Sequence, residues 1–305
     1  MSKTNVTNFS HWMAAFRFRT LFLSFSCIGA GLASASLFSE LDKAVAAFTL
    51  LTALFLQVLS NLANDYGDSI HGADNSDRKG PKRAVQTGVI SASQMKRAVV
   101  ISAVLSLISG ISLLILSFPI IGLKAIIGLF ISGLIAIAAA ILYTNGKRPY
   151  GYAGLGDISV FLFFGLLAVL GSAFLQLGNF NTEIIEPAIA FGFLAVGVLN
   201  VNNMRDIHSD KIAGKLSIPV RIGIKSAKLY HNILVLVSII LMAHFMENNR
   251  LNLLFLIVPV FALLFHLMKI NSAKSEGEFD PQLKVLSLSS FLLCLCFIFS
   301  VVFSS

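Results

Sequence analysis

Two short stretches hold most of the side chains able to do chemistry. The first, "SNLANDYGDSIHGAD" at residues 60–74, sets Asn61, Asn64, Asp65 and Asp68 at i, i+3, i+4 and i+7, one face of a helix. The second, "LNVNNMRDIHSDKIAGKLSIPVRIG" at residues 199–223, sets Asn202, Asp206 and Asp210 at i, i+4 and i+8, with Asn203 beside them. Carboxylates and amide oxygens are hard ligands. They suit Mg²⁺, which takes one or two carboxylates and keeps waters and substrate phosphates. No His/Cys constellation competes for a softer metal, and His71 and His208 read as polar loop residues rather than ligands. Basic residues follow each cluster: Arg78, Lys79, Lys82 and Arg83 after the first, Lys211, Lys215 and Arg221 after the second. One Asp at a helix end is ordinarily a solvated cap. Two in-face clusters, each leading into a basic, glycine-containing loop, describe a diphosphate site with a divalent cation.

The elements that position these clusters are apolar helices. Of the 305 residues 56% are hydrophobic and only 12% charged, and the mean hydropathy is +0.83. A soluble domain carries roughly 25% charged residues. Nine apolar runs, uncharged except for Lys124 in the fourth, approach the roughly 20 residues of a membrane span, at 20–39, 44–64, 98–117, 119–142, 158–178, 187–204, 229–246, 251–268 and 285–305. The expectation is an all-α membrane protein of nine transmembrane helices, one domain over 1–305, with inner loops near 66–97 and 205–228. No cleavable signal peptide is expected, because the first apolar run reads as retained. With the N-terminus inside, only Lys43, Lys124 and Arg250 of the 23 Lys and Arg fall on the outer side. That is the positive-inside pattern. It puts both clusters at the cytoplasmic face and the C-terminus outside. The net charge of +8 then reflects topology and contact with lipid headgroups, and no nucleic-acid partner is needed to explain it. Cys27, Cys294 and Cys296 lie in apolar runs and read as packing residues. The similar polar endings of the second and sixth runs suggest a weak internal duplication.

The ordered motifs resemble a known family. "NDYGD" followed by "GAD", then "NNMRDIHSDKIAGK", is similar to the Asp motifs of the UbiA superfamily of intramembrane aromatic prenyltransferases, most closely its MenA branch. "WMAAFRFRTL", "GPKRAVQTGVIS", "YTNGKRPYGYAGLGDISVFLFFGLLAVLG" and "AGKLSIPVRIG" resemble further segments of that branch, so the likeness covers nearly the whole chain. It departs at Phe18, Phe22 and Leu166, where the family often has Pro, and at Ser217, where it often has Thr. The resemblance implies a helical bundle around a central cavity open to lipid, in a bacterial cytoplasmic membrane. It also implies Mg²⁺ bridging both Asp motifs to a polyprenyl diphosphate. The implied reaction is decarboxylating transfer of the polyprenyl group to 1,4-dihydroxy-2-naphthoate, giving demethylmenaquinol. Residue by residue, it assigns Asn64, Asp65 and Asp68 to one metal cluster and Asp206 and Asp210 to the other, with Asn61 and Asn202 as helpers. Arg83 and Lys215 match diphosphate-facing positions. Tyr143, Lys147 and Tyr152 match a loop over the site, and Arg19 would contact the acidic aromatic.

Two other readings stay open at this point. Within the superfamily, the acceptor could be 4-hydroxybenzoate or homogentisate. Outside it, intramembrane Asp pairs near a duplication fit an ion-coupled secondary transporter. Against the transporter, such sites lie near the bilayer midplane, whereas these clusters sit at the inner ends of spans.

Overall fold

Two of the long helices begin at side-chain caps that the sequence offers. In the computed structural model, Asp42 accepts from the amides of Ala44 and Val45 at 2.8 and 3.0 Å and starts α3, Lys43–Ile70. Ser91 and Gln94 form a reciprocal capping box that starts α4, Ala92–Leu142. The structure describes residues 9–71, 80, 81 and 83–304, without the side chain of Arg19. Asp74, Arg78, Lys79 and Lys82 therefore lie outside the described residues.

Before α3 come α1, Phe9–Phe16, and α2, Phe18–Ser36, meeting at a 50° bend. After α4, a continuous span runs through α5, Gly156–Val160, a π-helical stretch Phe161–Leu170, and α6, Gly171–Leu177. Then follow α7, Ile185–Arg205; the short α8, Ile207–Ile212; α9, Ile218–Asn248; α10, Ile257–Ser272; and α11, Asp280–Ser304. The described residues form helices and their connections, without strands.

Among the described residues, seven helices are long and apolar enough to cross a membrane, or up to eight if the bent α1–α2 pair is one span. The expected third and fourth runs fall inside α4, whose 51 residues would extend about 76 Å if straight. That is more than twice a hydrocarbon core of about 30 Å. The helix is broken by Gly122 at φ 71°, ψ 173°, three residues after Pro119. Elsewhere the helices outrun the apolar runs. α3 continues to Ile70, so Asp65 and Asp68 occupy its last turns instead of opening a loop.

α7 sits at the centre of the bundle and α4 at its edge. Small residues on α7 let neighbours approach closely. A side chain on Gly192 would meet the Cα of Gly165 at 2.9 Å and the Phe161 ring at 2.9 Å, so the π-helical stretch packs directly on the α7 backbone. Leu194, Val201 and Met204 of α7 share one apolar core with Val235 and Met242 of α9 and Leu286 and Phe297 of α11. α4 presents Ile101, Ile108, Ile115 and Ile131 outward instead, as a lipid-facing helix does.

This close approach gives a stability prediction. Gly192→Val forces the two backbones apart and should destabilise the protein by about 1–3 kcal/mol, the usual cost of overpacking. Gly128→Ala, at a helical position with open space around it, should leave the melting temperature unchanged or slightly raised. Thermal unfolding in detergent compares the two.

Candidate active site

A cavity of about 390 Å³ opens between α2, α3, α4, the π-helical span and α7. Its polar end carries Asn61, Asn64, Asp68, Arg83, Tyr143, Asn202 and Lys215. The rest of its wall is apolar, with Leu113, Leu129, Phe130, Phe163, Phe164 and Leu167 among the residues. Charge at one end and hydrocarbon along the other suit a ligand of the same polarity.

α3 ends inside the first cluster. Asp68, buried, has Oδ2 2.5 Å from Nη1 of Arg83 and accepts at Oδ1 from the Tyr152 hydroxyl at 2.9 Å. The same Nη1 donates to the Asn64 carbonyl at 2.7 Å, so one guanidinium ties the segment after α3 back to it. Thr144 donates to Asn64 Oδ1 at 3.2 Å. Asp65 is buried, and its Oδ1 has no hydrogen-bond partner. Asn61 faces elsewhere. It donates to the Phe16 carbonyl at 2.8 Å and to Thr20 Oγ1 at 2.9 Å, and accepts from Gln57 at 3.2 Å. It lines the cavity while pinning the α1–α2 bend.

α7 and α8 build the second cluster. Asp206 takes a two-pronged contact from Arg205, at 2.8 Å from Nε and 2.6 Å from Nη2. That guanidinium also donates to Asp280 at the start of α11, at 2.6 Å, and to Asn202 Oδ1 at 2.9 Å. Asp210 pairs with Lys215 at 3.3 Å and accepts from Ser217 at 3.3 Å. Burial raises the Asp210 carboxyl above its ordinary range, and the Lys215 ammonium offsets part of that. For Lys215 burial works the other way, but Asp210 and neighbouring acidic groups outweigh it and hold the ammonium protonated.

The loop over the site joins the clusters. Tyr152 reaches Asp68, while its carbonyl accepts from the Leu216 amide at 2.9 Å. Gly154, at φ 79°, sits where any side chain would strike the Leu216 carbonyl and the Arg221 guanidinium. Tyr143 lines the cavity and packs edge-on against Tyr150. Lys147 is exposed and off the cavity wall. Burial raises the phenols of Tyr143 and Tyr152, so both remain donors.

Of the sequence-predicted residues, Asn61, Asn64, Asp68, Arg83, Tyr143, Asn202 and Lys215 line the cavity; Tyr152 and Asp210 touch it through Asp68 and Lys215, Asp206 is linked to Asn202 through Arg205, and Asp65 is buried on α3 off the wall. The geometry leaves Lys147 on the outside and places only the backbone of Arg19, in α2. Three residues were not anticipated. Arg205 looked like one more topology charge. Ser217 was read only as a departure from a motif. Arg17, which lines the cavity, adopts a left-handed backbone at φ 52° where α1 meets α2. That conformation is uncommon for a non-glycine residue, and such strain clusters at functional sites.

Among the described residues, no three His, Cys, Asp or Glu side chains gather closely enough to hold a metal by themselves. The donors present still fit Mg²⁺: hard oxygens only, Asp65 Oδ1 buried without a partner, and cations close by for a ligand's phosphates. A soft metal finds no matching ligands here.

The UbiA prenyltransferase family model matches residues 22–291. The chain is 45% identical over 245 residues to 1,4-dihydroxy-2-naphthoate octaprenyltransferase of Escherichia coli (strain K12), covering 80% of this chain and 79% of that one. Among solved structures, it resembles the apo form of a UbiA homolog from Aeropyrum pernix K1, with a TM-score of 0.70 at 15% identity over 93% and 98% of the two chains. It also resembles a UbiA homolog from Archaeoglobus fulgidus bound to DMAPP and Mg²⁺, with a TM-score of 0.63 at 19% identity over 94% and 99%.

The Arg205 contacts yield a prediction. Arg205→Ala removes the buried guanidinium that links Asp206, Asn202 and the partly exposed Asp280, and losing one partner of a buried ion pair costs about 3–5 kcal/mol. A large fall in melting temperature is expected. Arg221→Ala, which removes an exposed guanidinium, should cost far less.

Proposed function

The chain belongs to the UbiA prenyltransferase family, and from that premise we infer that it transfers a polyprenyl group from polyprenyl diphosphate to 1,4-dihydroxy-2-naphthoate, with loss of CO₂, in menaquinone biosynthesis. One observation carries the reading: one cavity joins the Asp68–Arg83 pair and the Lys215 ammonium at one end to an apolar wall along the rest. The E. coli relative's name adds the acceptor and an octaprenyl donor.

It is a multi-pass membrane protein. Counting α1–α2 as one span and the two arms of α4 around Gly122 as two gives nine, the number the apolar runs suggested. Nine spans under the positive-inside pattern put both clusters at the cytoplasmic face of a bacterial inner membrane and Ser305 outside.

The chemistry follows from the groups that line the cavity and those buried beside its lining residues. Asn64, Asp65, Asp68, Asp206 and Asp210 would hold Mg²⁺, a role supported by the Archaeoglobus homolog's bound ion and by the unpartnered Asp65 oxygen. When bound, that ion supplies charge stabilisation to a diphosphate leaving group. Arg83 and Lys215 would stabilise the same developing charge with fixed donors in a water-poor site, where electrostatic interactions are stronger than in bulk water. The allylic C–O bond breaks with its electron pair going to the diphosphate. The apolar wall excludes water from the cation left behind, and the isoprene chain lies along it. The naphthoate carbon bearing the carboxylate then forms the new C–C bond. Its C–CO₂ bond breaks, and those electrons restore the aromatic ring. Asn61, Asn202 and Tyr143 line the chamber in which this occurs. Tyr152 holds Asp68 in place. Arg19 and Lys147 are assigned by resemblance to acceptor contact and to the loop over the site.

Purified protein with Mg²⁺ and a radiolabelled polyprenyl diphosphate should prenylate 1,4-dihydroxy-2-naphthoate, releasing one CO₂ per product, and leave 4-hydroxybenzoate and homogentisate unmodified. Preference for either of those acceptors overturns the assignment. Arg83→Ala should lower kcat/KM at least about tenfold, since hydrogen bonds to charged groups are worth roughly 1.5–3 kcal/mol. Arg83→Lys should recover only part, because an ammonium lacks the planar fork. Lys96→Ala, an exposed change at the start of α4, should stay within about twofold.

A further inference from the structure

The α2–α3 wall of the cavity carries a strip of polar side chains, Thr20, Ser24, Gln57, Ser60 and Asn61, to which the transfer chemistry gives no contact with either substrate. The wall from α4 and the π-helical stretch is mostly hydrocarbon.

Thr20, Ser24, Gln57 and Asn61 are locked into one network. Backbone carbonyls, which only accept, fix its direction. The Phe16 carbonyl takes an N–H of Asn61 at 2.8 Å, and the Arg17 carbonyl takes the Thr20 hydroxyl proton at 2.9 Å. Asn61 therefore turns its Oδ1 toward Gln57, which donates to it from Nε2 at 3.2 Å. Gln57 in turn presents Oε1 to Ser24, whose hydroxyl donates at 2.6 Å. The remaining N–H groups of Asn61 and Gln57 both go to Thr20 Oγ1, at 2.9 and 3.4 Å. Neither amide can be flipped without setting oxygen against oxygen.

The donors are thus used up. Every O–H and N–H of these four side chains is committed inside the network, while Gln57 Oε1, Asn61 Oδ1 and Ser24 Oγ keep lone pairs. Ser24, Gln57 and Asn61 are buried yet line the cavity, so a partner for those lone pairs has to come from inside it. This wall offers a ligand acceptors. Ser60 stands outside the network, and its hydroxyl can turn either way.

A ligand that binds against Ser24, Gln57 and Asn61 must therefore bring an O–H or N–H of its own. Ethers and quinone carbonyls only accept, and would set lone pair against lone pair. The aromatic acceptor of the transfer reading has the matching group. In 1,4-dihydroxy-2-naphthoate the 1-hydroxyl is ortho to the carboxylate and bonds to it internally. The 4-hydroxyl has no such partner. Depth agrees with this. At 1.5 Å per residue, Asn61 and Gln57 lie about 10 Å and about 16 Å along α3 from Asp68. A diphosphate held by Arg83 and Lys215 occupies the first part of that distance, and a ring set at its allylic carbon extends into the rest.

We propose that Ser24, Gln57 and Asn61 form a hydroxyl-reading subsite for the aromatic acceptor: they accept a hydrogen bond from its 4-hydroxyl and so select a hydroquinol over its ether or quinone. The identity of the ligand rests on the prenyl-transfer reading; the acceptor-only character of the wall does not. Gln57 is the specificity-determining residue, because it holds Asn61 Oδ1 with one end and supplies Oε1 with the other. A site built to hold a substrate hydroxyl rejects analogues that lack it.

The test measures binding by calorimetry to the full-length protein in nanodiscs, with Mg²⁺ and unreactive geranyl thiodiphosphate present and oxygen excluded. The ligands are 1,4-dihydroxy-2-naphthoate, 1-hydroxy-2-naphthoate, which lacks the 4-hydroxyl, and 1-hydroxy-4-methoxy-2-naphthoate, which replaces it with an acceptor-only ether. Wild type should bind the first at least about tenfold more tightly than either of the others. Gln57→Met, apolar and of similar length, should bind all three within about threefold of one another, because the coupling to the hydroxyl is gone. Ser24→Ala, which leaves Gln57 Oε1 with both lone pairs, should keep the wild-type preference. Equal affinity for the three ligands in wild type would overturn the proposal. So would an undiminished preference in Gln57→Met, or a lost one in Ser24→Ala of unchanged melting temperature. Should Gln57→Met fail to fold, wild type and Ser24→Ala still decide. Prenylation assays in parallel separate this proposal from the reading it rests on. Wild type that prenylates the naphthoate yet binds the three alike keeps its reaction and loses this subsite. Hydroxyl preference without prenylation keeps the subsite and loses the reaction.

Discussion

A carboxylate moved from water into a low-dielectric interior is tolerated only when a cation and hydrogen bonds replace its hydration. That constraint organises the polar end of this bundle. Asp68 is met by Arg83, Asp206 by Arg205 and Asp210 by Lys215, each pair within 3.3 Å. Every one of these pairings also fixes a segment of chain. Arg83 draws the stretch after α3 onto Asn64, Arg205 ties α7 to the first residue of α11, and Lys215 folds the segment after α8 back over Asp210. Neutralising charge and positioning backbone are one interaction here. Of these cations, Arg83 and Lys215 also line the cavity.

The helices supply the geometry that makes these pairings possible. Because α3 stays helical to Ile70, Asn64, Asp65 and Asp68 are presented from one rigid helix, while the second set is shared by α7 (Asn202), the α7–α8 junction (Asp206) and the short α8 (Asp210). Close approach of Gly165 to Gly192 brings the π-helical span against α7, next to the cavity it helps to line. π-Helical turns are uncommon and often mark functional sites. Here Phe163, Phe164 and Leu167 from that stretch form part of the apolar wall. The loop with Tyr143 and Tyr152 caps the polar end and links both clusters.

Much of this was legible in the sequence because it is local. Apolar runs and i, i+3, i+4, i+7 spacing depend only on neighbours along the chain, and the first carboxylate cluster lies on one helix as its spacing required, whereas the second straddles the break at Asp206 between α7 and α8. What stayed hidden depends on distant partners. A basic residue at the end of a span looks the same whether it faces water or is buried, and Arg205 shows its role only through Asp280, 75 residues away. Spacing put Asn61 on the carboxylate face, but its amide is taken up by Phe16 and Thr20 from the preceding helices. Two apolar runs lie in α4 on either side of a break at Gly122, and α9 has a similar break at Gly223 ahead of its apolar run, both glycines at positive φ.

The central claim is that buried carboxylates, held by cations in this state, form a site that takes Mg²⁺ together with a diphosphate. Calorimetric binding of an unreactive geranyl thiodiphosphate to the purified protein tests it most directly, with and without Mg²⁺. The account predicts tight binding that depends on Mg²⁺ in wild type, and in Asp65→Asn weaker binding with little Mg²⁺ dependence, left to Arg83 and Lys215. Equal affinity with and without Mg²⁺ in wild type would contradict it.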